Sequence, residues 1–433
     1  MMENVGQQMY DLAARMFPIC RSITGDGVRQ TLAIIKEHLP ELNICEVPSG
    51  TPVFDWTVPR EWNIKDAYIE NSTGEKIVDF KKNNLHVMGY SVPVDKYVAL
   101  EELLQYVYVE EGQQNAIPYV TSYYKERFGF CMSKNQRDSL KEDTYHMVID
   151  STLEDGSLTY GELLIKGETE EEILVSTYVC HPSMANNELS GPVVSTFLAK
   201  WVKEQKNQHY SYRFLFIPET IGSITYLSTH LKEMQQKVKA GFLLSCVGDD
   251  RTYSYIPTRK GNTLADRVAL SVLEAHYPEY RRYSFLQRGS DERQYNAPGV
   301  DIPVCVICRS KFGDYPEYHT SLDDMSVITP DGLLGAYESL VRMFNALQYY
   351  GYYKVNCYCE PQLGKRGLYP TISKKGSYDG VMAMRDFLAY ADGETDLIEI
   401  SNQIKVPVEE LIPIIDKLTS QGLVSFERTL HEA

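Results

Sequence analysis

From Ile173 onward the sequence alternates short apolar runs with longer segments of helical period. The apolar runs are residues 173–179, 213–217, 241–247 and 302–308, and the helical segments are residues 190–205, 222–237, 262–275 and 331–349. Continuous apolar and β-branched runs of this length indicate strands that are buried on both faces. Strand and helix in alternation favour a mainly parallel sheet flanked by helices, so we predict an α/β fold for this part of the chain.

Three loops that leave these strands carry imidazole or carboxylate side chains. His181 follows the first strand, Glu219 follows the second, and His319 lies beyond the fourth. Because parallel strands present their carboxyl ends at one edge of a sheet, we expect the three side chains to meet there. Two imidazoles and a carboxylate are typical of a zinc site with an open position, where the metal polarises a carbonyl and activates water. Taken singly, each residue also suits a structural role, as a hydrogen-bonded histidine or as an acid at a helix N-terminus.

The chain is predicted to have three domains. Residues 1–48 and 132–352 are expected to form the α/β domain. Residues 49–131 contain short, turn-punctuated runs rich in Val, Tyr, Trp and Thr, which predict an inserted β-rich domain that could roof the active site and restrict substrate size. Residues 365–430 are expected to form a winged helix, with helices at 380–391, 396–403 and 409–421 and a strand at 422–427.

The third helix of this winged helix is acidic where a DNA-binding protein needs cations. It carries Glu409, Glu410 and Asp416 against Lys417, and Pro413 interrupts its middle. Nucleic acid is therefore not expected as a partner, and docking or homo-oligomer formation is the favoured role.

The overall charge supports the same exclusion. A formal net charge of -16 and a pI near 5.1 disfavour a surface that binds phosphate backbones or anionic membranes, because such binding requires basic patches. The N-terminal segment lacks the pattern of a secretory signal, and the sequence contains no apolar stretch long enough to span a membrane. We expect a cytoplasmic protein with no membrane partner.

Three longer runs carry a resemblance to a known family. They are Phe17-Pro-Ile-Cys-Arg21-Ser-Ile-Thr-Gly-Asp-Gly27, Phe54-Asp-Trp-Thr-Val-Pro59-Arg-Glu-Trp-Asn63 and Tyr318-His-Thr-Ser-Leu-Asp323. Over about residues 1–45 and 150–350 the chain resembles the zinc aminopeptidases of the bacterial leucyl aminopeptidase type, a clan that also includes glutaminyl cyclases. It is most similar to a branch of bacterial aminopeptidase-like proteins with an inserted β-rich domain and a C-terminal winged helix. Some members of that branch are associated with polysaccharide biosynthesis.

The resemblance implies roles for the three site residues. His181 matches the family's first metal-ligand histidine, and His319 matches the last. Glu219 falls in a pair of glutamates, the first a general base and the second a ligand. It is either the base, with Thr220 at the ligand position, or the ligand itself.

Asn187 stands where the family pattern has an aspartate that bridges two metals. Its amide oxygen can coordinate a cation, but it cannot neutralise two zinc ions as a carboxylate does. The resemblance therefore implies one zinc ion, with Asn187 as a possible ligand, and Ser245 or Cys246 stands at the position of a later acidic ligand. Glu188 could take the place of the missing carboxylate, but the favoured expectation is a solvated acid in the first turn of the following helix.

Further polar residues are expected near the substrate. Asp249, Asp250 and Asp291 are candidates for binding a free amine, and Arg293 and Tyr318 lie in loops that resemble those around the family's active site.

Three functions follow as hypotheses. The first is a zinc-dependent aminopeptidase-like hydrolase that cleaves an amide bond in a small peptide or an aminoacyl metabolite. The second is a catalytically degenerate peptidase fold used for binding or assembly. The third is a DNA-binding regulator that uses the winged helix.

Overall fold

The computed structural model describes residues 5–368 and 379–429. Its strands β1 to β19 are, in chain order, Asn43–Pro48, Pro52–Val53, Trp56–Thr57, Glu61–Glu70, Lys76–Asp79, Val94–Ala99, Val107–Tyr108, Phe130–Cys131, Thr144–Glu154, Ser157–Ile165, Glu172–Tyr178, Ser211–Ile217, Val238–Leu244, Ser254–Ile256, Arg281–Arg282, Val304–Cys308, Tyr352–Val355, Asp392–Asp396 and Val424–Glu427. Its helices α1 to α12 are Val5–Met16, Asp26–His38, Leu100–Leu103, Lys134–Asp138, Ser190–Glu204, Ile221–Lys237, Leu264–His276, Glu292–Tyr295, Pro330–Tyr349, Asp379–Tyr390, Leu397–Ile404 and Val408–Ser420.

An eight-stranded sheet forms the centre of the first part of the chain. Its strand order is β1-β10-β12-β11-β13-β16-β14-β15. The four central strands β12, β11, β13 and β16 are parallel to one another. The pairs β1–β10, β10–β12 and β14–β16 are antiparallel, and β15 at the edge pairs with β14 in the parallel sense. The predicted α/β fold with a mainly parallel sheet is confirmed.

The central strand β11 delivers the His181 loop to the edge of the sheet. All seven residues of β11 are buried, as the continuous apolar run predicts for a strand covered on both faces. The chain then turns at once into α5, which packs close to the sheet. A Cβ atom at Gly191 would collide with Thr177 Oγ1 and the Leu244 carbonyl oxygen, so only glycine permits this close approach.

A second sheet of four strands has the order β5-β4-β9-β6 and is antiparallel throughout. Alternate residues of β9, including Met147 and Ile149, are buried against Ile69, Val78 and other apolar side chains of β4, β5 and β6. The sheet therefore has a small core of its own. Strand β9 lies beyond residue 131, where the predicted insertion ends, because its pairing with β4 and β6 completes the apolar face.

The chain forms two compact units. The first contains residues up to 261 and residues 281–337, and the second contains residues 262–280 and those from 338 onward. In the second unit, helices α10, α11 and α12 accompany a three-stranded sheet of order β18-β17-β19, which is the predicted winged helix. Asp396 caps α11 by accepting hydrogen bonds from Ile398 and Glu399, and it also accepts two from Arg267 on α7.

Within the described ranges, no helix combines the length and apolar character needed to cross a membrane.

Candidate functional site

His181 is held in one orientation by a buried carboxylate. Its backbone N–H donates to Glu188 Oε2 at 2.9 Å, and its Nδ1 lies 3.0 Å from the same oxygen. Nδ1 therefore carries the proton, while Nε2 lies 3.7 Å from Glu219 Oε2. Burial opposes a charge on the ring, but the hydrogen bond to Glu188 and the negative charges of Glu188 and Glu219 raise the pKa of His181 overall.

Glu188 is in turn paired with Arg21. Arg21 Nε lies 3.2 Å from Glu188 Oε1 and donates to the His181 carbonyl oxygen at 2.9 Å, and neither charged side chain is exposed to solvent. The expectation that Glu188 is a solvated acid is wrong. The reason is the π-helical turn Ala185–Leu189, which contains Glu188 and whose residues are all buried.

Glu219 follows strand β12 and has one oxygen fixed and one free. Its Oε1 accepts a hydrogen bond from Ser290 Oγ at 2.5 Å, and Oε2 is the oxygen near His181. The next residue, Thr220, has a positive φ of 65°. Its N–H donates to Asp291 Oδ1 at 2.7 Å, and its Oγ1 accepts from Arg293 Nη2 at 2.8 Å. These two contacts hold an unfavourable backbone conformation next to the site.

Asp291 and Arg293 therefore support the loop around Thr220 and do not line the cavity near His181. Asp291 is completely buried and also accepts a hydrogen bond from Ser223 Oγ at 2.7 Å. Burial and the charge of Glu219 raise the pKa of Asp291 to about 7.

His319 also has a positive φ, of 56°, and its ring lies among aromatic neighbours. It stacks on Tyr318 at 3.9 Å and meets Tyr119 edge-on at 5.1 Å, and its centroid lies 5.4 Å from that of His181. Burial, with a smaller effect of His181, lowers the pKa of His319 to about 3, so the ring is neutral. Nε2 is buried and has no hydrogen-bond partner in the part of the chain that is described.

Asn187 is close to these residues in sequence but does not line the same cavity. Its Oδ1 accepts a hydrogen bond from Tyr178 OH at 2.9 Å, and that hydroxyl lies 2.6 Å from Ser245 Oγ. The backbone N–H of Asn187 donates to Asp323 Oδ2 at 2.9 Å. The amide oxygen that was expected to bind a metal is thus used within the protein.

Asp249 lies in a different environment from the one expected for a substrate-binding acid. It is completely buried, and its oxygens accept hydrogen bonds from Asn186 Nδ2, the backbone N–H of Arg251, and both the N–H and the hydroxyl of Ser310, at 2.9–3.0 Å. These four bonds join three loops of the sheet edge. Asp249 is a structural residue here, because all of its accepting capacity is directed at the protein.

A cavity of about 350 Å³ opens above His181, Glu219 and His319. The rest of its wall is mainly aromatic and aliphatic, and consists of Ile23, Trp56, Tyr119, Thr121, Tyr123, Tyr124, Cys180, Thr220 and Ile221. Five of these residues lie between 56 and 124, in the region predicted to roof the site. The hydroxyls of Tyr119 and Tyr123 are 2.7 Å apart, and burial raises the pKa of both phenols well above the usual value, so both remain protonated.

Two groups of side chains could hold a metal ion. Cys180, His181 and Glu188 offer donor atoms within 4.8 Å of one another, but burial raises the pKa of the Cys180 thiol well above its usual value, and Glu188 is paired with Arg21. His181, Glu219 and His319 form the second group. The 3.7 Å between His181 Nε2 and Glu219 Oε2 is less than twice a zinc–ligand distance of about 2.1 Å. His319, whose neutral ring has a partnerless Nε2, lines the same cavity, but the donor atoms of the three residues do not all lie within 4.8 Å of one another, so a shared zinc ion would require His319 to move closer.

Comparison with known proteins supports the relationship that the sequence motifs indicate. A family model described as a domain of unknown function, DUF4910, matches residues 10–349. The chain belongs to this family. A winged helix-turn-helix family model matches residues 351–426, so the chain joins a DUF4910 domain to a winged helix.

Relatives of this DUF4910 protein have aminopeptidase-like folds. A protein of Clostridium acetobutylicum, named as a candidate polysaccharide biosynthesis protein with an aminopeptidase-like domain, is 49% identical over 398 residues, which cover 92% of this chain and 91% of that protein. The crystal structure of a candidate peptidase from the same organism superimposes with a TM-score of 0.92 at 46% identity and covers 98% of each chain. A zinc aminopeptidase from Bacillus subtilis matches with a TM-score of 0.57 at 13% identity over 79% of this chain and 94% of that chain, which shows a shared fold.

Three residues around the DUF4910 site were not singled out from the sequence. Arg21 lies in the first of the family-like runs. A single cationic residue among apolar and hydroxyl side chains there indicates a buried charge that needs a partner. Tyr178 ends an apolar strand and gives no sign that its hydroxyl will bind Asn187. Tyr119 belongs to an aromatic-rich stretch, but its contact with both histidines depends on how the inserted segment folds back.

Proposed function

We propose that this protein is a hydrolase that cleaves an amide bond with the help of one zinc ion. The observation that supports this proposal best is the meeting of His181, Glu219 and His319 in one cavity, where His319 Nε2 is buried, uncharged and without a partner. A buried imidazole nitrogen with no partner is costly unless it serves a ligand.

Zinc would be held by Nε2 of His181, Nε2 of His319 and Oε2 of Glu219. When bound, the metal would lower the pKa of a water molecule and polarise the substrate carbonyl. Glu219 is the only carboxylate in the cavity wall described above. We therefore assign it the role of a metal ligand and not that of a general base.

The protein's own side chains would prepare this site in three ways. Glu188 accepts the Nδ1–H of His181 and so directs Nε2 toward Glu219. The aromatic wall excludes water from the cavity and strengthens polar contacts within it. The paired hydroxyls of Tyr119 and Tyr123 remain protonated and can donate to a substrate oxygen.

The substrate class follows from the size and lining of the cavity. A volume of about 350 Å³ accommodates a group the size of an aminoacyl residue, and the lining contains no lysine or arginine that could bind an anionic terminus. We propose a small peptide or an amide-bearing metabolite in the cytoplasm. The name of the C. acetobutylicum relative supports a metabolite of polysaccharide assembly, such as an N-acylated amino sugar.

The winged helix is proposed to serve docking or self-association and not DNA binding. Its acidic residues are partly used within the second unit, where Glu409 pairs with Arg342 and Asp416 accepts a hydrogen bond from Tyr349 at 3.2 Å. Light scattering of the intact protein tests self-association, and a gel-shift assay across a range of salt tests DNA binding.

The central experiment measures metal and activity together. Protein expressed with supplemented zinc should retain about one zinc ion per chain and should hydrolyse members of a panel of aminoacyl amides and N-acyl amino sugars. His319→Ala should lose both zinc and activity, while His146→Ala, which removes a histidine from the inserted sheet, should lose neither. Full occupancy without zinc-dependent activity on any panel member, or zinc retention by His319→Ala, would contradict the proposal.

A degenerate fold used for binding or assembly is the second candidate. It is supported by Asn187, Thr220 and Ser245, each of which stands where the family resemblance implies an acid and each of which is hydrogen-bonded within the protein. Absence of bound zinc in protein purified from zinc-supplemented cells would favour this candidate over the hydrolase.

A further inference from the structure

A second and larger cleft lies beside the proposed active site. Its volume is about 710 Å³, and it shares none of its lining residues with the cavity above His181. One wall comes from residues 17–30 at the start of α2 and the loop before it, and the other from residues 62–65 of β4 and the loop 80–84.

Two of the family-like sequence runs meet in this cleft, and the residues by which they line it have no role in the proposed reaction. The backbone N–H of Trp62 donates to Thr24 Oγ1 at 3.1 Å, and the backbone N–H of Asp26 donates to Asn63 Oδ1 at 2.7 Å. These bonds fix the two walls relative to each other, so the cleft is formed before any ligand arrives.

The cleft is basic, although the whole chain carries a net charge of -16. Lys65, Lys81 and Lys82 line it, and among the described residues Lys65 and Lys82 form no ion pair. The single acid in its wall, Asp26, is paired with Arg29 at 2.8 Å. Two free ammonium groups with no unpaired acid favour an anionic ligand.

Its remaining polar groups are mostly neutral amides. Asn84 is 8% exposed, its Nδ2 makes a 3.4 Å bond to the Pro18 carbonyl oxygen, and its Oδ1 has no hydrogen-bond partner within the described chain. An acceptor of this kind is satisfied by a hydroxyl donor. The half-buried rings of Phe17 and Phe80 also line the cleft and offer apolar faces.

We propose that this cleft binds an anionic saccharide. The carboxylate or phosphate of the sugar would be bound by Lys65 and Lys82, a hydroxyl would donate to Asn84 Oδ1, and an apolar sugar face would pack on Phe17 or Phe80. Amides, aromatic rings and unpaired cations together suit a ligand that is rich in hydroxyl groups and negatively charged.

The test is a binding titration on the full-length protein at low ionic strength. The probes are a hyaluronan tetrasaccharide, which carries glucuronate carboxylates, the neutral chitotetraose, inorganic phosphate, and a tetraglutamate peptide. We expect the hyaluronan probe to bind at least about tenfold more tightly than the other three. The double variant Lys65→Ala/Lys82→Ala should weaken its binding by about tenfold or more.

Matched controls separate the cleft from general surface charge. Lys166→Ala/Lys232→Ala removes two exposed lysines elsewhere and should leave the affinity unchanged, and Asn84→Leu should weaken hyaluronan binding without the loss of a charge. Circular dichroism establishes that each variant is folded. Three results would overturn the proposal: an equal loss of hyaluronan affinity in the two lysine double variants, an affinity for tetraglutamate or phosphate equal to that for hyaluronan, or no hyaluronan binding at all. Each of these results is independent of the zinc and hydrolysis experiments.

Discussion

The guanidinium of Arg21 lies 3.2 Å from the carboxylate of Glu188, and neither side chain is exposed to solvent. This ion pair connects the N-terminal segment to His181, because Glu188 accepts from the His181 ring and Arg21 donates to the His181 carbonyl oxygen. A buried pair of this kind is costly to break, since the remaining partner is left as an unpaired charge.

Glu188→Gln should therefore destabilise the protein and weaken zinc binding. We expect the free energy of unfolding to fall by about 3 kcal/mol, because Arg21 loses its counter-ion, and the zinc affinity to fall roughly tenfold or more, because His181 loses the acceptor that orients it. Urea unfolding and zinc competition titration measure the two effects. The double variant Arg21→Met/Glu188→Met should recover much of the stability but not the zinc affinity; wild-type zinc affinity in both variants would show that the pair does not position His181.

Asn187→Asp should not create a second metal site. The new carboxylate would be buried close to Asp323, whose pKa burial already raises to about 6, and Tyr178 would continue to donate to it. We expect a loss of about 2 kcal/mol in unfolding free energy and no zinc beyond about one ion per chain. Metal analysis decides the matter: a second zinc ion accompanied by higher activity would indicate an eroded two-metal centre.

Arg213 is expected to be important for the stability of the large sheet. Its side chain is 4% exposed and donates to Glu172 at 2.6 and 2.8 Å, and also contacts Glu162 and Tyr226. Arg213→Met leaves the buried carboxylate of Glu172 unpaired and should lower the unfolding free energy by about 3–5 kcal/mol. The control is Arg281→Met, which replaces an exposed arginine on β15. It should change the unfolding free energy by less than about 0.5 kcal/mol. Similar losses in the two variants would contradict this prediction.

Glu61 should contribute to stability in a pH-dependent way. Burial alone would raise its pKa, but hydrogen bonds from Arg29, Ser157 and Asn63 lower the pKa to about 2. The unfolded value is about 4.3, so this contribution, about 1 kcal/mol after allowance for solvent screening, is present above that pH and is lost as the pH falls toward 2.

The pH prediction is measured by urea unfolding at a series of acidic pH values. Glu61→Gln should flatten the decline in stability between about pH 4.3 and 2, while Glu75→Gln in an exposed turn should leave it as in the natural chain. An unchanged slope in Glu61→Gln would show that this carboxylate is not responsible.

The sequence predicted the α/β fold and the edge where the site lies, because both depend on strong periodic signals. The run from Ile173 to Val179 is continuously apolar since β11 is buried on both faces, and His181 follows at its carboxyl end. The approach of His181 to Glu219 and His319 then follows from the parallel order of the central strands.

Other features depend on contacts between distant residues and could not be predicted. Glu188 has the position of a helix-start acid, and only the π-helical turn and Arg21 make it a buried partner of His181. Asp249 occurs at a plausible site position, but Ser310, sixty-one residues later, takes its oxygens. The strand β9 completes the inserted sheet from outside the β-rich run, because the pairing partner of a strand is not encoded in its own sequence.

The strained backbone at Thr220 limits how the site can be altered. The family resemblance implies a glutamate at this position or next to it, yet Thr220 has a left-handed backbone conformation stabilised by Asp291 and Arg293, and Asn187 accepts a hydrogen bond from Tyr178. Both positions are therefore held by their own local partners, so a single substitution at Thr220 or Asn187 would break existing contacts without completing a second metal site.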